Sequence, residues 1–202
     1  MATNNKKDKV VGSQQKKNSM LVPAIVLGGV LIIGAAFFTN SSKEDDKYDL
    51  PNVGTFNTGV KGEYTGQVID PNSTEVEFKD GKIYMDLEDV KAKKFVRFAV
   101  PNQVIPLPNR TFDYLPVIAY IAPSGRLVTA VGFCEPCSGT EFRIQGQSLI
   151  CNACDTVWNL EDLKGISGGC PSHPPDEVDY EVVDGKVVFD EATLRGWEAR
   201  PI

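Results

Sequence analysis

All five cysteines and the single histidine of this 202-residue chain fall within residues 133–175. Cys134 and Cys137 form one Cys-x-x-Cys pair, Cys151 and Cys154 form a second, and thirteen residues separate the pairs. A two-residue spacer lets both thiolates of a pair face one tetrahedral metal ion from a tight turn. We therefore predict a metal centre held by four cysteines: Cys134, Cys137, Cys151 and Cys154.

Four kinds of chemistry suit this ligand set. Four thiolates can bind a structural zinc ion, or they can hold an iron–sulfur cluster. Outside the cytoplasm the pairs can also form disulfides, and thiolates bind soft ions such as Cu(I). The spacing alone ranks zinc first, but it does not separate zinc from iron, because both accept tetrahedral sulfur.

Cys170 and His173 form a further candidate pair of metal ligands, in the sequence Gly168-Gly-Cys-Pro-Ser-His-Pro-Pro175. The glycines and prolines fix the shape of this loop, which suits a segment beside a metal. The alternative is a free cysteine packed under a glycine turn and a solvated histidine. Both readings stay open at the level of sequence.

The rest of the C-terminal part of the chain reads as short β-strands. Asp80-Gly81, Pro123-Ser124-Gly125 and Asp184-Gly185 each separate two β-rich runs and predict three hairpins, and a fourth is expected at residues 142–150 between the cysteine pairs. Residues 101–116 read as a proline-punctuated loop, and Asp190 begins a candidate short helix. This spacing of strands predicts a mainly β fold, a small barrel or sandwich.

The N-terminal part predicts a membrane anchor. Residues 1–17 carry five lysines and one aspartate, and residues 18–42 carry no charge. Residues 20–39 are apolar and about as long as a bilayer core requires. The positive-inside rule then places the N-terminus in the cytoplasm. We predict a basic cytoplasmic tail (1–19), a transmembrane helix (20–39), a linker (40–60) and an extracytoplasmic metal-binding domain (61–202); the alternative for the apolar run is a cleaved signal peptide.

Composition excludes several classes of function. The net charge of −6 argues against nucleic-acid binding, and one histidine leaves little scope for histidine-based metal sites or triads. The chain has no Gly-x-Ser-x-Gly, phosphate-binding loop or His-Glu-x-x-His motif. A hydrolase or transferase is therefore not indicated, and an enzyme role would have to be redox chemistry.

Two resemblances extend this interpretation. The run from Leu149 to Leu160, the Gly/Pro stretch after it and the terminal hairpin resemble the second half of a Rieske-type domain. Rieske domains carry one cysteine and one histidine in each ligand loop, whereas both loops here carry two cysteines. The resemblance implies a small Rieske-like or ribbon β-barrel ectodomain, and any cluster would be all-thiolate with a lowered reduction potential.

The run from about Asp80 to Gly168-Gly-Cys170-Pro, including both cysteine pairs, resembles prokaryotic membrane iron–sulfur proteins similar to the D component of Ftr-type iron-uptake systems. This resemblance implies that the four paired cysteines are cluster ligands and that Cys170 is a further family cysteine. It also implies a membrane permease or redox partner. The expected function is extracytoplasmic electron transfer or redox handling of metal ions linked to iron uptake. The alternatives are an interaction module with structural zinc and a thiol–disulfide protein.

Overall fold

The computed structural model describes residues 55–202, which contain fourteen strands and two α-helices. In chain order these are β1 (Val68–Ile69), β2 (Asn72–Ser73), β3 (Val76–Lys79), β4 (Lys82–Asp86), α1 (Leu87–Lys93), β5 (Phe95–Leu107), β6 (Arg110–Ile121), β7 (Leu127–Val131), β8 (Phe142–Gln145), β9 (Ser148–Cys151), β10 (Val157–Asn159), β11 (Gly165–Ser167), β12 (Asp176–Glu177), β13 (Glu181–Val183), β14 (Lys186–Asp190) and α2 (Glu191–Arg195). The predicted mainly β fold is confirmed.

The strands form three open sheets. The central sheet has the order β12-β7-β6-β5-β2, the site sheet β1-β8-β9-β10-β11, and the third sheet β13-β14-β4-β3. The expectation of a closed barrel is therefore wrong for the described residues. Closure requires long edge strands that can pair with each other, and the edge strands here have only two to four residues.

All four predicted hairpins are present. They are β3–β4, β6–β7, β8–β9 and β13–β14, each antiparallel. Asp80-Gly81 and Asp184-Gly185 have positive φ at both residues, as a type I′ turn requires. Asp190 caps α2 as expected, through its carboxylate and the Thr193 amide. Helix α1 was not foreseen, although Asp86 caps it in the same way.

The prediction of a loop over residues 101–116 is wrong, because β5 and β6 run through it as a long hairpin. Their pairing shifts at a bulge between Pro101 and Ile105. Strand β2 pairs with β5 only at Val96 and Arg97, so no strand of the described region lies beside the outer edge of β5 at Pro101 and Pro106. Proline, which lacks an N–H donor, is tolerated at such an edge.

The central sheet is buried on both faces and separates two hydrophobic cores. Alternate residues of β6 show this: Val117 and Ala119 belong to the core shared with the third sheet and helices, while Ile118 and Tyr120 belong to the core shared with the site sheet. The Tyr120 hydroxyl donates to the Leu160 carbonyl at 2.9 Å and so joins the central sheet to the site sheet. The cysteines lie at one margin of this second core.

The predicted membrane anchor, residues 20–39, lies outside the described residues, as do the basic tail and most of the linker. Within residues 55–202 no helix is long and apolar enough to cross a bilayer. The end of the predicted linker belongs to the folded region, because Phe56 and Thr58 exchange backbone hydrogen bonds with the Gly125–Leu127 segment.

Candidate metal centre

The first cysteine turn follows β7 and is closed by backbone hydrogen bonds. The Cys134 amide donates to the Gly139 carbonyl at 2.8 Å, and residues 135–137 form a single 3-10 turn. Ser138, directly after the second cysteine, has φ 58°. This left-handed residue reverses the chain, so that both cysteine side chains of the turn face the same side.

The second cysteine turn connects β9 to β10 and repeats the same pattern. The Cys151 amide donates to the Thr156 carbonyl at 3.0 Å, and the Asp155 amide donates to the Cys151 carbonyl at 2.9 Å. Asp155, again directly after the second cysteine, has φ 50°. The hairpin β8–β9 carries this turn back to the first one, as the length of the intervening segment predicts.

The Cys170 loop is the third segment of the site and is held through Thr156. The Thr156 hydroxyl accepts from the Cys170 amide at 3.0 Å and lies 3.2 Å from the Cys154 sulfur. Gly168 has φ +108°, and a Cβ there would lie 2.5 Å from the Thr156 Cα. The Trp158 indole donates to the Pro171 carbonyl at 3.2 Å. These contacts fix Cys170 against the second turn.

The sulfur atoms of all three segments converge. Cys134 and Cys154 are 3.8 Å apart, Cys137 and Cys151 are 3.7 Å apart, and Cys154 and Cys170 are 3.9 Å apart. The sulfurs of Cys134, Cys137, Cys154 and Cys170 all lie within 4.8 Å of one another. The structure thus brings three of the four predicted ligands, Cys134, Cys137 and Cys154, together with Cys170. Cys151, the fourth, lies outside this group but contacts Cys137.

The cysteine thiols perturb the pKa values of one another. A hydrogen bond with Cys151 raises the pKa of Cys134 well above its usual range, and a hydrogen bond from Cys134 lowers the pKa of Cys151 to about 5. Burial raises the pKa of Cys137 to about 12 and also raises the pKa of Cys170. The cluster favours one thiolate among several thiols, because closely spaced negative charges repel one another. A bound cation removes this restriction.

His173 is buried, and both of its ring nitrogens lie within hydrogen-bonding distance of a polar atom. Nδ1 lies 3.1 Å from the Ser172 hydroxyl, and Nε2 lies 3.0 Å from the Pro201 carbonyl. His173 is not in the group of close sulfur ligands. We therefore leave it out of the proposed ligand set.

A buried ion pair anchors the first turn. Glu135, between Cys134 and Cys137, is fully buried and pairs with the guanidinium of Arg200. The Arg200 amide also donates to the Glu135 carboxylate at 2.9 Å, and the guanidinium donates to the Pro174 carbonyl at 2.5 Å. The C-terminal segment therefore ties the first turn to the Cys170 loop.

Sequence reasoning missed three residues that shape the site, Glu135, Thr156 and Arg200, and it missed the close fit at Gly139. A Cβ at Gly139 would lie 2.9 Å from the Cys151 sulfur and 3.1 Å from the Cys137 sulfur, so only glycine fits between the turns. The position of Glu135 inside a Cys-x-x-Cys pair was an available signal. Arg200, 65 residues further along the chain, carried none.

Comparison with known proteins shows that the segment carrying the cysteines is similar to a known family. Residues 103–200 match the model of the family described as "Membrane iron-sulfur containing protein FtrD-like". Over these residues the chain is similar to the FtrD-like family. The matched segment contains all five cysteines together with Glu135 and Arg200. No curated protein and no solved structure matches the chain, so the relationship to Rieske-type domains stays a prediction.

The donor set fits the iron named in the FtrD-like description, but its spacing does not fit a large cluster. Cysteine thiolates are ligands for iron with or without inorganic sulfide. Thiolates bound to different irons of a cluster are held apart by the iron and sulfide atoms between them. The four sulfurs that lie within 4.8 Å of one another leave no such space.

Proposed function

We propose that this FtrD-like protein is a membrane-anchored metal-centre protein that handles iron through one-electron redox chemistry outside the cytoplasm. The observation that carries the proposal is the convergence of four cysteine sulfurs, with Cys151 in contact with one of them, within the FtrD-like segment. Zinc has no redox chemistry at such a site, whereas thiolate-bound iron changes oxidation state and can pass on an electron.

The burial of the cysteines supports a role in transfer. Cys134 and Cys151 are fully buried, while Cys137 and Cys154 are partly exposed. One side of the centre is therefore enclosed by protein. On the other side, one sulfur of each turn, that of Cys137 and that of Cys154, is accessible to solvent. An enclosed side protects a metal centre from water, and the accessible side gives a redox partner a short path to it.

The membrane anchor and the partner are the remaining parts of the proposal. A helix at residues 20–39 would hold the domain beside a permease or an oxidoreductase in the same membrane. Such a tether raises the effective concentration of the domain at its partner without any additional contact. A role beside an iron-uptake permease follows from the resemblance to Ftr-type systems.

Anaerobic purification of the full-length chain in detergent tests the proposal. We expect bound iron by elemental analysis and a visible absorption band that bleaches when a reductant is added and returns on reoxidation. A colourless protein with zinc and no redox response would instead support the structural-zinc module. The sulfur spacings of 3.7–3.9 Å suit that alternative equally well, since zinc takes the same tetrahedral geometry.

A second measurement addresses the thiol–disulfide alternative. Close sulfur contacts run between the two turns, from Cys134 to Cys154 at 3.8 Å and from Cys137 to Cys151 at 3.7 Å. A thiol oxidoreductase of this geometry would form disulfides between the two turns. Thiol counting and peptide mapping of the air-oxidised chain would reveal those crosslinks, together with an absence of metal.

A further inference from the structure

We propose that the five sulfurs hold one metal ion without inorganic sulfide, with Cys134, Cys137 and Cys154 as constant ligands and with Cys151 and Cys170 as interchangeable fourth ligands. This inference rests on the proposed function, because it describes how the same centre binds its ion. It differs from the cluster that the name of the FtrD-like family implies.

The single-ion part rests on distances. In a tetrahedral site with metal–sulfur bonds of about 2.3 Å, neighbouring sulfurs are about 3.8 Å apart. Two contacts within the quartet, Cys134 to Cys154 at 3.8 Å and Cys154 to Cys170 at 3.9 Å, agree with this edge length, and so does the contact of Cys151 with Cys137 at 3.7 Å. A quartet within 4.8 Å encloses one ion and leaves no room for a second metal with bridging sulfides.

The exchange part rests on counting sulfurs against coordination positions. A tetrahedral ion takes four thiolates, whereas each of the five cysteine sulfurs here lies within 4 Å of another. Cys151 lies 3.7 Å from Cys137, and Cys170 lies 3.9 Å from Cys154. The two sulfurs therefore contact the three constant ligands from different chain segments, Cys151 from a β-hairpin and Cys170 from the glycine-rich loop.

Exchange at the fourth position requires no redox step. The incoming thiol binds the ion and gives its proton to solvent, and the outgoing thiolate takes up a proton, so the charge of the site and the oxidation state of the ion do not change.

The wild-type chain tests the single-ion part. Full-length protein purified without oxygen is assayed for metal content and acid-labile sulfide. We expect one ion per chain and no sulfide. Two or more irons with a matching amount of sulfide would overturn the inference while leaving the proposed redox function intact. One zinc ion per chain would support the single-ion site but would contradict the proposed redox function.

Single and double substitutions test the exchange. Cys151→Ala and Cys170→Ala are each expected to retain one ion per chain. The double variant should bind the ion far more weakly. Loss of a residue that only hydrogen-bonds to a metal ligand lowers metal affinity roughly 10- to 100-fold, and the double variant should lose more than that. Cys134→Ala is the matched control, because this single substitution should be enough to abolish binding of the ion. Loss of binding in either single variant would overturn the exchange.

A folding defect must be separated from a lost ligand. Each substitution is therefore also made to serine, which retains the approximate size of the side chain, and the β-sheet circular dichroism of each variant is recorded with and without metal. A single serine variant that folds but does not bind the ion counts against the exchange. Retention of the ion in both serine variants, with loss in the double variant, supports it.

Discussion

The two Cys-x-x-Cys turns share one backbone pattern but are anchored to the protein in different ways. In each, the amide of the first cysteine bonds the carbonyl five residues later, and the residue after the second cysteine is left-handed. The first turn is fixed from inside by a fully buried carboxylate, Glu135. The second is fixed from the surface, where Arg143 contacts Asn152 and Asp155.

Because one ion pair is buried and the other is exposed, the two should contribute very different amounts to the free energy of unfolding. A buried carboxylate that loses its partner keeps an uncompensated charge in a medium of low polarity. An exposed pair loses little, because water replaces the missing partner. The first turn should therefore depend strongly on one distant arginine, whereas the second should depend mainly on its own hairpin. Four predictions, in order of decreasing effect, test this contrast.

Replacing Arg200 by methionine removes the partner of buried Glu135. Breaking a buried pair in this way costs about 3–5 kcal/mol. We expect urea unfolding to show a loss of that order and the metal centre to release its ion to a chelator faster. The double variant Glu135→Gln/Arg200→Met leaves no unpaired charge and should recover part of the stability. A loss no larger than that of the Arg143 variant described below would refute the asymmetry between the turns.

Adding a methyl group at Gly139 tests the contact between the two turns. The Cβ of Gly139→Ala would meet the sulfurs of Cys137 and Cys151. Overpacking of this kind typically costs about 1–3 kcal/mol, and here it also displaces two ligands. We expect weaker metal binding and an altered metal absorption spectrum. Gly169→Ala is the control, because a Cβ there has no neighbour within 4 Å; equal effects at both sites would contradict this account.

The Thr156 hydroxyl joins the second turn to the Cys170 loop, and Thr156→Val removes it with little change of shape. The Cys170 amide, which is buried, then loses its acceptor, at a cost of about 1–3 kcal/mol. Because hydrogen bonds to sulfur help to set the potential of iron–thiolate centres, the midpoint potential should also fall. Thermal unfolding and a redox titration measure the two effects. An unchanged potential would mean that the hydroxyl does not donate to Cys154.

Arg143→Met is the exposed counterpart of the Arg200 variant. The Asp155 side chain is 79% exposed, so this pair should contribute at most about 1 kcal/mol. We expect nearly unchanged urea unfolding and metal binding. A destabilisation that matches the Arg200 variant would show that the second turn is also anchored by charge, and the contrast between the turns would then fail.

The sequence predicted the local parts of the site well. The two-residue spacers fixed which cysteines share a turn, and Asp-Gly pairs fixed two hairpins because only a few residue types accept positive φ. The long β5–β6 hairpin was missed since prolines normally end strands, and here an edge position tolerates them. The closed barrel was also wrong, because the edge strands are too short to join.

Sequence by itself determined that Cys134 and Cys137 lie in one turn and Cys151 and Cys154 in another, because such turns depend on hydrogen bonds within about six residues. Only the tertiary structure decided that Cys170 joins them and that Arg200 neutralises Glu135. These contacts cross 16 and 65 residues, and they exist because two sheets and the C-terminal segment pack around one core. Burial over such separations leaves no periodic or local signal in the chain.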